Sequence, residues 1–208
     1  MASLASSLKA RAERAGLELP DHLVDPFLAY FELLSRWNRK INLTSLSDTD
    51  QAIDRLLLEP LAAGRQLPRP ARLVDLGSGG GSPAIPLALA LGAGELVMIE
   101  SRTRKAAFLR QAALVVCLHA IVESARFEDV AESPSYRGSA DLVSMRAVRL
   151  DETSGRAAVS LLKPSGLFGV FASSPAQPPE GLVEVDVRPL VGEAKLQLFR
   201  SETFHVEQ

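Results

Sequence analysis

An α/β fold, a mostly parallel seven-stranded sheet behind a helical N-terminal segment, is predicted by three observations. From Ala71 onward, short apolar runs alternate with helix-length segments, the pattern of a parallel sheet covered on both faces. The first of these runs passes through Asp75 into the turn Gly77-Ser78-Gly79-Gly80-Gly81, and a helix follows at once. The first seventy residues instead carry their apolar side chains at helical spacing.

Taken in order, Leu4 to Ala15 reads as an amphipathic helix ended by Gly16, and this reading outweighs a faint likeness to a transit peptide. Pro20-Asp21 opens a second helix in which Phe27, Tyr30, Phe31, Leu34 and Trp37 recur on one face, an aromatic stripe expected in the core. A third helix is expected from Thr49 through Leu61. Gly64 and Pro68-Arg69-Pro70 then mark a linker, so that residues 1–70 form a helical cap and residues 71–208 the α/β unit. Strands are expected at 72–76, 95–100, 119–123, 140–145, 166–171, 182–188 and 195–200, with helices at 84–91, 103–116 and 151–162. Only Pro189 to Ala194 separates the last two strands, too little for a helical crossover, so they form an antiparallel edge hairpin. Ser173 to Glu180, rich in Pro and Ser, reads as a mobile loop.

The glycine turn is where a ligand comes close. Glycine there admits positive φ and lets a ligand approach the backbone, and the free N–H groups of the following helix favour an anionic group. Spacing separates two ligand classes. The dinucleotide fingerprint needs a third glycine or alanine at position 82, where Ser82 stands. The acid-x-Gly-x-Gly-x-Gly form of S-adenosyl-L-methionine (SAM) enzymes is met by Asp75, Gly77, Gly79 and Gly81. About twenty residues on, a second apolar run ends in Glu100, where such folds hold a ribose diol. The expected architecture is therefore the Rossmann-like class I SAM-dependent methyltransferase fold, and the expected cofactor is SAM.

Composition sets bounds. With 208 residues, 47% of them hydrophobic, the chain can bury one substantial core. A net charge of −2 argues against a generic polyanion binder but leaves room for a local basic patch. The lone Cys117 cannot form an internal disulfide, which suggests a cytoplasmic protein. His22, His119 and His205 show no metal-ligand spacing, so no metal is expected, and no apolar run is long enough for a membrane span. A monomer is the expected state.

Several charged segments flank the expected cleft. Arg102, Arg104 and Lys105 follow Glu100, either as a solvated helix face or as groups that neutralise substrate phosphates. Phe127 and Glu128 follow the third strand, where the adenine ring is clamped in such folds; Glu128-Asp129 equally suits a helix start. Arg146 leaves the fourth strand beside the transferred methyl and is the candidate catalytic arginine, able to meet the cofactor carboxylate or the substrate, a reading preferred to a surface ion pair. In Trp37-Asn38-Arg39-Lys40-Ile41-Asn42-Leu43-Thr44, a helix stop and an RNA contact are both open readings.

This last segment resembles the W-N-x-K-x-N-L-T of the bacterial small-subunit rRNA guanine-N7 methyltransferases, RsmG or GidB. Asp75 to Ala88, Glu100-Ser101 with its basic residues, Phe108-Leu109, Arg126-x-Glu128 and Arg146-Ala147-Val148 are also similar. The resemblance implies SAM-dependent methylation of a guanine N7 in the decoding-region loop of 16S rRNA, with 16S rRNA or the small ribosomal subunit as partner. It implies cofactor contacts at Gly77, Ser82, Phe127, Glu128 and Arg146. The RNA-side candidates are Asn38, Arg39, Lys40, Asn42, Arg102, Arg104 and Lys105. The chain departs from the family pattern at Ser82 (Phe or Leu) and Ala84 (Gly). It departs again at Leu56, Glu59 and Pro60 (His-x-x-Asp-Ser) and at Phe171-Ala172 (Lys-Gly). The departures motivate two alternatives, a SAM- or ribosome-binding protein without turnover and a methyltransferase of another substrate.

Overall fold

The computed structural model describes residues 3–46 and 48–202; His205 lies outside them. Its seven strands are β1 (Arg72–Leu76), β2 (Glu95–Ile99), β3 (Ala120–Glu123), β4 (Ala140–Arg146), β5 (Leu162–Ala172), β6 (Leu182–Pro189) and β7 (Lys195–Ser201). They form one sheet in the order β3-β2-β1-β4-β5-β7-β6. β1 to β5 run parallel, while β7 pairs antiparallel with both β5 and β6, as the short connection requires. The chain winds outward from β1 to β3, then returns to place β4 on the other side of β1. Loops leaving β1 and β4 diverge there and open a crevice.

The helices are α1 (Leu4–Arg14), α2 (Asp21–Asn38), α3 (Thr49–Ile53), α4 (Glu59–Gly64), α5 (Ala84–Leu91), α6 (Thr103–Val115), α7 (Phe127–Glu132) and α8 (Glu152–Leu161). Alternation along the strands assigns each residue to a face. Leu73, Leu96, Met98 and Leu196 join the core with α5, α6 and the N-terminal helices. Val74, Leu76, Val97, Phe168 and Phe199 face α7 and α8. The α5 sequence Ala-Ile-Pro-Leu-Ala-Leu-Ala-Leu is apolar nearly all round because the sheet covers one side and α4 and α2 cover others. The first core is continuous from Leu8 through Phe27 and Tyr30 to Ile85, Phe108 and Leu198, so the N-terminal helices share it with the sheet.

Two elements differ from expectation. The third helix is not regular. α3 passes through a π-helical turn, Asp54–Leu58, before α4. β5 starts at Leu162, its register with β4 shifting between Ala140 and Leu142, so strand begins where a turn from α8 was expected. Phe127–Glu132 is helical, the second of the two readings of that segment. α8 begins with a capping box, Asp151 accepting from the Thr153 and Ser154 N–H groups and the Ser154 hydroxyl accepting from the Asp151 N–H.

Candidate functional site

The turn after β1 is strapped down from several sides. The Ser78 N–H donates to the Ile99 carbonyl and the Gly79 N–H to Glu100 Oε2, each at 2.9 Å. The second Glu100 oxygen accepts from the Arg102 N–H at 2.8 Å. Each carboxylate oxygen keeps one lone-pair site, so Glu100 shapes the turn and can still accept from a diol. The glycines divide by role. Gly77, Gly79 and Gly81 all have positive φ. A Cβ on Gly77 would meet Val148 at 2.6 Å, and one on Gly81 would meet Ile85 at 2.9 Å and Leu109 and Tyr30 at 3.2 Å. A Cβ on Gly79 would find no atom nearer than 3.7 Å. Gly79 is the glycine of the turn with room for a methyl, and Gly81 is packed beneath the turn.

The N-terminal segment supplies the opposite wall. Asn38 closes the loop after α2. Its Oδ1 accepts from the Leu43 and Thr44 N–H groups at 2.8 and 3.0 Å, and its Nδ2 donates to the Thr44 carbonyl at 3.0 Å. That loop lays the Leu43 carbonyl over Gly80, where a Cβ would come within 3.1 Å of it. Tyr30, fully buried in α2, donates its hydroxyl to the Gly80 carbonyl at 2.6 Å. Burial pushes its pKa well up, so it remains a donor.

Arg146 ends β4 under the π turn. Its Nη1 donates to the Arg55 carbonyl, its Nη2 to Glu59 Oε2 at 2.8 Å, and its guanidinium lies 4.7 Å over the Phe171 ring. The Ser82 hydroxyl donates to the neighbouring Leu56 carbonyl at 2.9 Å. A π turn breaks the usual helical hydrogen-bond pattern, and here two of its carbonyls accept from across the cleft. Burial lowers the Arg146 pKa to about 10 against the pull of Glu59, and burial raises the pKa of Glu59. Desolvation thus outruns mutual attraction on both partners. Ala147, next in the chain, has φ of 57°, a left-handed conformation unusual outside glycine.

Two hollows result. The larger, about 340 Å³, is lined by the Gly77–Gly80 turn, Ser82, Glu100, Lys105, Arg146, Ala147, Leu43–Leu46 and the π turn. The second, about 230 Å³, lies on the other side of Gly77 and Glu100, between Phe127, Glu128, Ser101 and Val148. Glu128 Oε1 accepts from Arg126 at 2.8 Å, while Oε2 is buried and has no hydrogen-bond partner among the described residues. A buried acceptor of this kind is free to take a donor from a ligand.

The candidate residues therefore distribute as follows. Gly77, Gly79, Ser82, Glu100, Lys105, Arg146, Phe127 and Glu128 line one or both hollows. Asp75 and Gly81 do not. Asp75 is buried below the turn, accepting from the Ser144 hydroxyl at 2.5 Å, and burial pushes its pKa up to about 6. Asn38 is absorbed in the loop. Arg39, Lys40 and Arg104 line an outer groove of about 740 Å³ beside Trp37 and Arg36, and Asn42 and Arg102 are exposed. Arg55, Leu56 and the Leu43–Leu46 backbone line the cleft without having been singled out as site residues. Their signal was the neighbouring motif, since Asn38 places Leu43 and Thr44. Among the described residues no three His, Cys, Asp or Glu side chains are grouped to hold a metal, and no helix is long and apolar enough to cross a membrane.

The site's chemistry suits SAM on its own terms: an orphan acceptor for an amine, a carboxylate for a diol, and an open glycine between them. Comparison with known proteins agrees. In fold, the chain matches a SAM dependent methyltransferase from Aquifex aeolicus with a TM-score of 0.56 at 14% identity, over 80% of this chain and 97% of that one. The ribosomal RNA small subunit methyltransferase G of Neisseria gonorrhoeae is 34% identical over 170 residues, 78% of this chain and 82% of the relative. The protein of that name from Desulfitobacterium hafniense is 34% identical over 166 residues, 79% of this chain and 69% of the relative. A family model described as rRNA small subunit methyltransferase G, GidB, matches residues 24–177. With a class I methyltransferase sheet, a cleft at its switch point and this agreement over most of its length, the chain belongs to the GidB family of rRNA small subunit methyltransferases.

Proposed function

We propose that this chain transfers a methyl group from SAM to N7 of a guanine in the decoding-region loop of 16S rRNA. The observation that carries the reading is the pair of hollows meeting at Gly77 and Glu100, with a buried partnerless acceptor at Glu128 and a buried arginine at the end of β4.

In this reading Glu128 Oε2 accepts from the adenine amine, Phe127 packs against the ring, Glu100 accepts from the ribose hydroxyls and Gly79 leaves room for the chain beyond. SAM supplies an electrophilic methyl on a cationic sulfur. Guanine N7 carries an available lone pair, so no proton leaves before attack and no general base is needed. The residues act by alignment, a contribution worth about 7–11 kcal/mol in well-oriented systems. Arg146, held by the Arg55 carbonyl, Glu59 and the Phe171 ring, fixes the side of the cleft where cofactor and base meet. Residues 1–70 cap the cleft, and residues 71–208 hold the cofactor.

Arg36, Arg39, Lys40 and Arg104, together with Lys105 at the cleft, form the phosphate-binding track on the RNA side. None of these side chains makes an ion pair within the described residues, whereas nine ion pairs form elsewhere. Cations left unpaired in a chain of net charge −2 suit a phosphate backbone. Asn38 acts by positioning the loop.

The test is transfer of radiolabelled methyl to small ribosomal subunits lacking the modification. Label at a guanine N7 supports the reading. SAM binding without label overturns it, in favour of a binding protein or of a methyltransferase with another substrate.

A further inference from the structure

Beside the cofactor cleft lies a third hollow of about 200 Å³, walled by the π turn, the end of β5 and the β6–β7 turn. Arg55 and Arg146 line both this hollow and the cleft, so the two adjoin at these residues. Sites for drug-sized ligands begin at about 300 Å³, so the smaller hollow suits a single base. We propose that it receives the target guanine, with Arg55 reading O6 and Glu193 reading the N1–H and N2 amine. This rests on the guanine-N7 reading above and assigns the residues that select the base.

The argument runs from what each side chain has left to offer. Arg146 is occupied by the Arg55 carbonyl, by Glu59 and by the Phe171 ring, and Glu59 is neutralised by Arg146. Arg55 and Glu193 are exposed, and neither side chain makes a hydrogen bond or ion pair within the described residues. The hollow thus keeps one unpaired cation on the cleft side and one unpaired carboxylate on the β6–β7 turn, whose shape is set by the Leu190 N–H to Ala194 carbonyl bond.

Guanine matches that polarity. N7 and O6 share one edge, so a base presenting N7 to the methyl brings O6, an acceptor, toward Arg55. The opposite edge carries the N1–H and N2 amine, two donors for a carboxylate. Adenine reverses both ends, setting its N6 amine against the guanidinium and the N1 lone pair against Glu193. Adenine thus sets donor against donor and acceptor against acceptor and forfeits both contacts.

Inosine lacks only the N2 amine and isolates the Glu193 contact. The experiment measures methyl transfer to small subunits rebuilt with guanine or inosine at the target position, using the whole chain and its Glu193→Ala variant. Glu193 lies in an exposed turn away from the SAM hollows, so SAM affinity by calorimetry stays at the wild-type value. The wild type prefers guanine over inosine by roughly tenfold or more in kcat/KM, the scale of one hydrogen bond to a charged group. Glu193→Ala lowers guanine transfer toward the inosine rate and abolishes the preference. A preference that survives the substitution overturns the pocket while leaving guanine-N7 methylation standing. Absence of label on guanine with the wild type overturns both.

Discussion

Glu59 on α4 and Arg146 at the end of β4 form a buried ion pair, 2.8 Å from Nη2 to Oε2, with side chains only 14% and 6% exposed. The pair joins the N-terminal segment to the end of β4. It also recasts a departure from the family pattern. Where the family has Asp, Glu59 keeps the carboxylate, and at Ser82 a hydroxyl bonded to Leu56 replaces an apolar side chain.

Removing one partner strands the other. Glu59→Gln leaves Arg146 as an uncompensated buried cation and should cost about 3 kcal/mol in urea unfolding. Methyl transfer should fall at least tenfold with it. The double variant Glu59→Leu with Arg146→Met removes both charges and should recover most of the stability but none of the transfer. If that variant stays as unstable as Glu59→Gln, the penalty is packing and not stranded charge.

The glycines of the turn should separate binding from folding. Gly79→Ala meets no atom nearer than 3.7 Å, so its fold cost is the positive φ alone, about 1 kcal/mol. Its methyl projects into the space assigned to SAM, and affinity by calorimetry should drop tenfold or more. Gly81→Ala collides with Ile85, Leu109 and Tyr30 and should cost about 2 kcal/mol or more. If Gly79→Ala binds SAM normally, the cofactor does not approach the backbone there.

Asp75 should impose a falling stability on the acid side of neutrality. Its unfolded pKa is about 3.9, and burial raises the folded value to about 6. Between those values the folded state holds more proton than the unfolded one, so stability drops as pH rises from about 4 to 6. Two pKa units correspond to about 3 kcal/mol. Asp75→Asn keeps an acceptor for Ser144 and cannot titrate. Its stability relative to wild type should therefore increase by roughly that amount between pH 4 and pH 7, measured by urea unfolding. A difference independent of pH would mean that Asp75 ionises as easily folded as unfolded.

Strand positions and the edge hairpin were legible because each strand is a short apolar run bounded by turn residues, and because six residues cannot carry a parallel crossover. The glycine turn was legible as a close approach, but its division of labour was not. Whether Gly79 or Gly81 faces the ligand depends on Ile85, Leu109 and Tyr30, brought together by the fold. The π turn was illegible for a similar reason. Asp-Arg-Leu-Leu-Leu is an ordinary helical stretch, and its Arg55 and Leu56 carbonyls bond to Arg146 and Ser82, both distant in sequence. Arg55 and Glu193 escaped notice because nothing local marks two exposed charges as neighbours across a hollow.

Asn38 offers the sharpest choice between the two readings left open by its motif. As a helix stop it acts on the loop, and three of its four hydrogen-bonding positions are already taken by Leu43 and Thr44. Asn38→Ala frees two N–H groups of the loop that walls the cleft, at a cost of about 2 kcal/mol. The loop then no longer holds the Leu43 carbonyl over Gly80, so SAM affinity should weaken about tenfold. Asn38→Asp restores the acceptor for both N–H groups and loses only the bond to the Thr44 carbonyl. It should recover most of the SAM affinity while placing a negative charge beside Arg39 and Lys40. An RNA-contacting Asn38 predicts the reverse pattern, SAM affinity untouched in Asn38→Ala and KM for the small subunit raised in both variants. Calorimetry for SAM and KM for the subunit, measured on the same two proteins, decide between them.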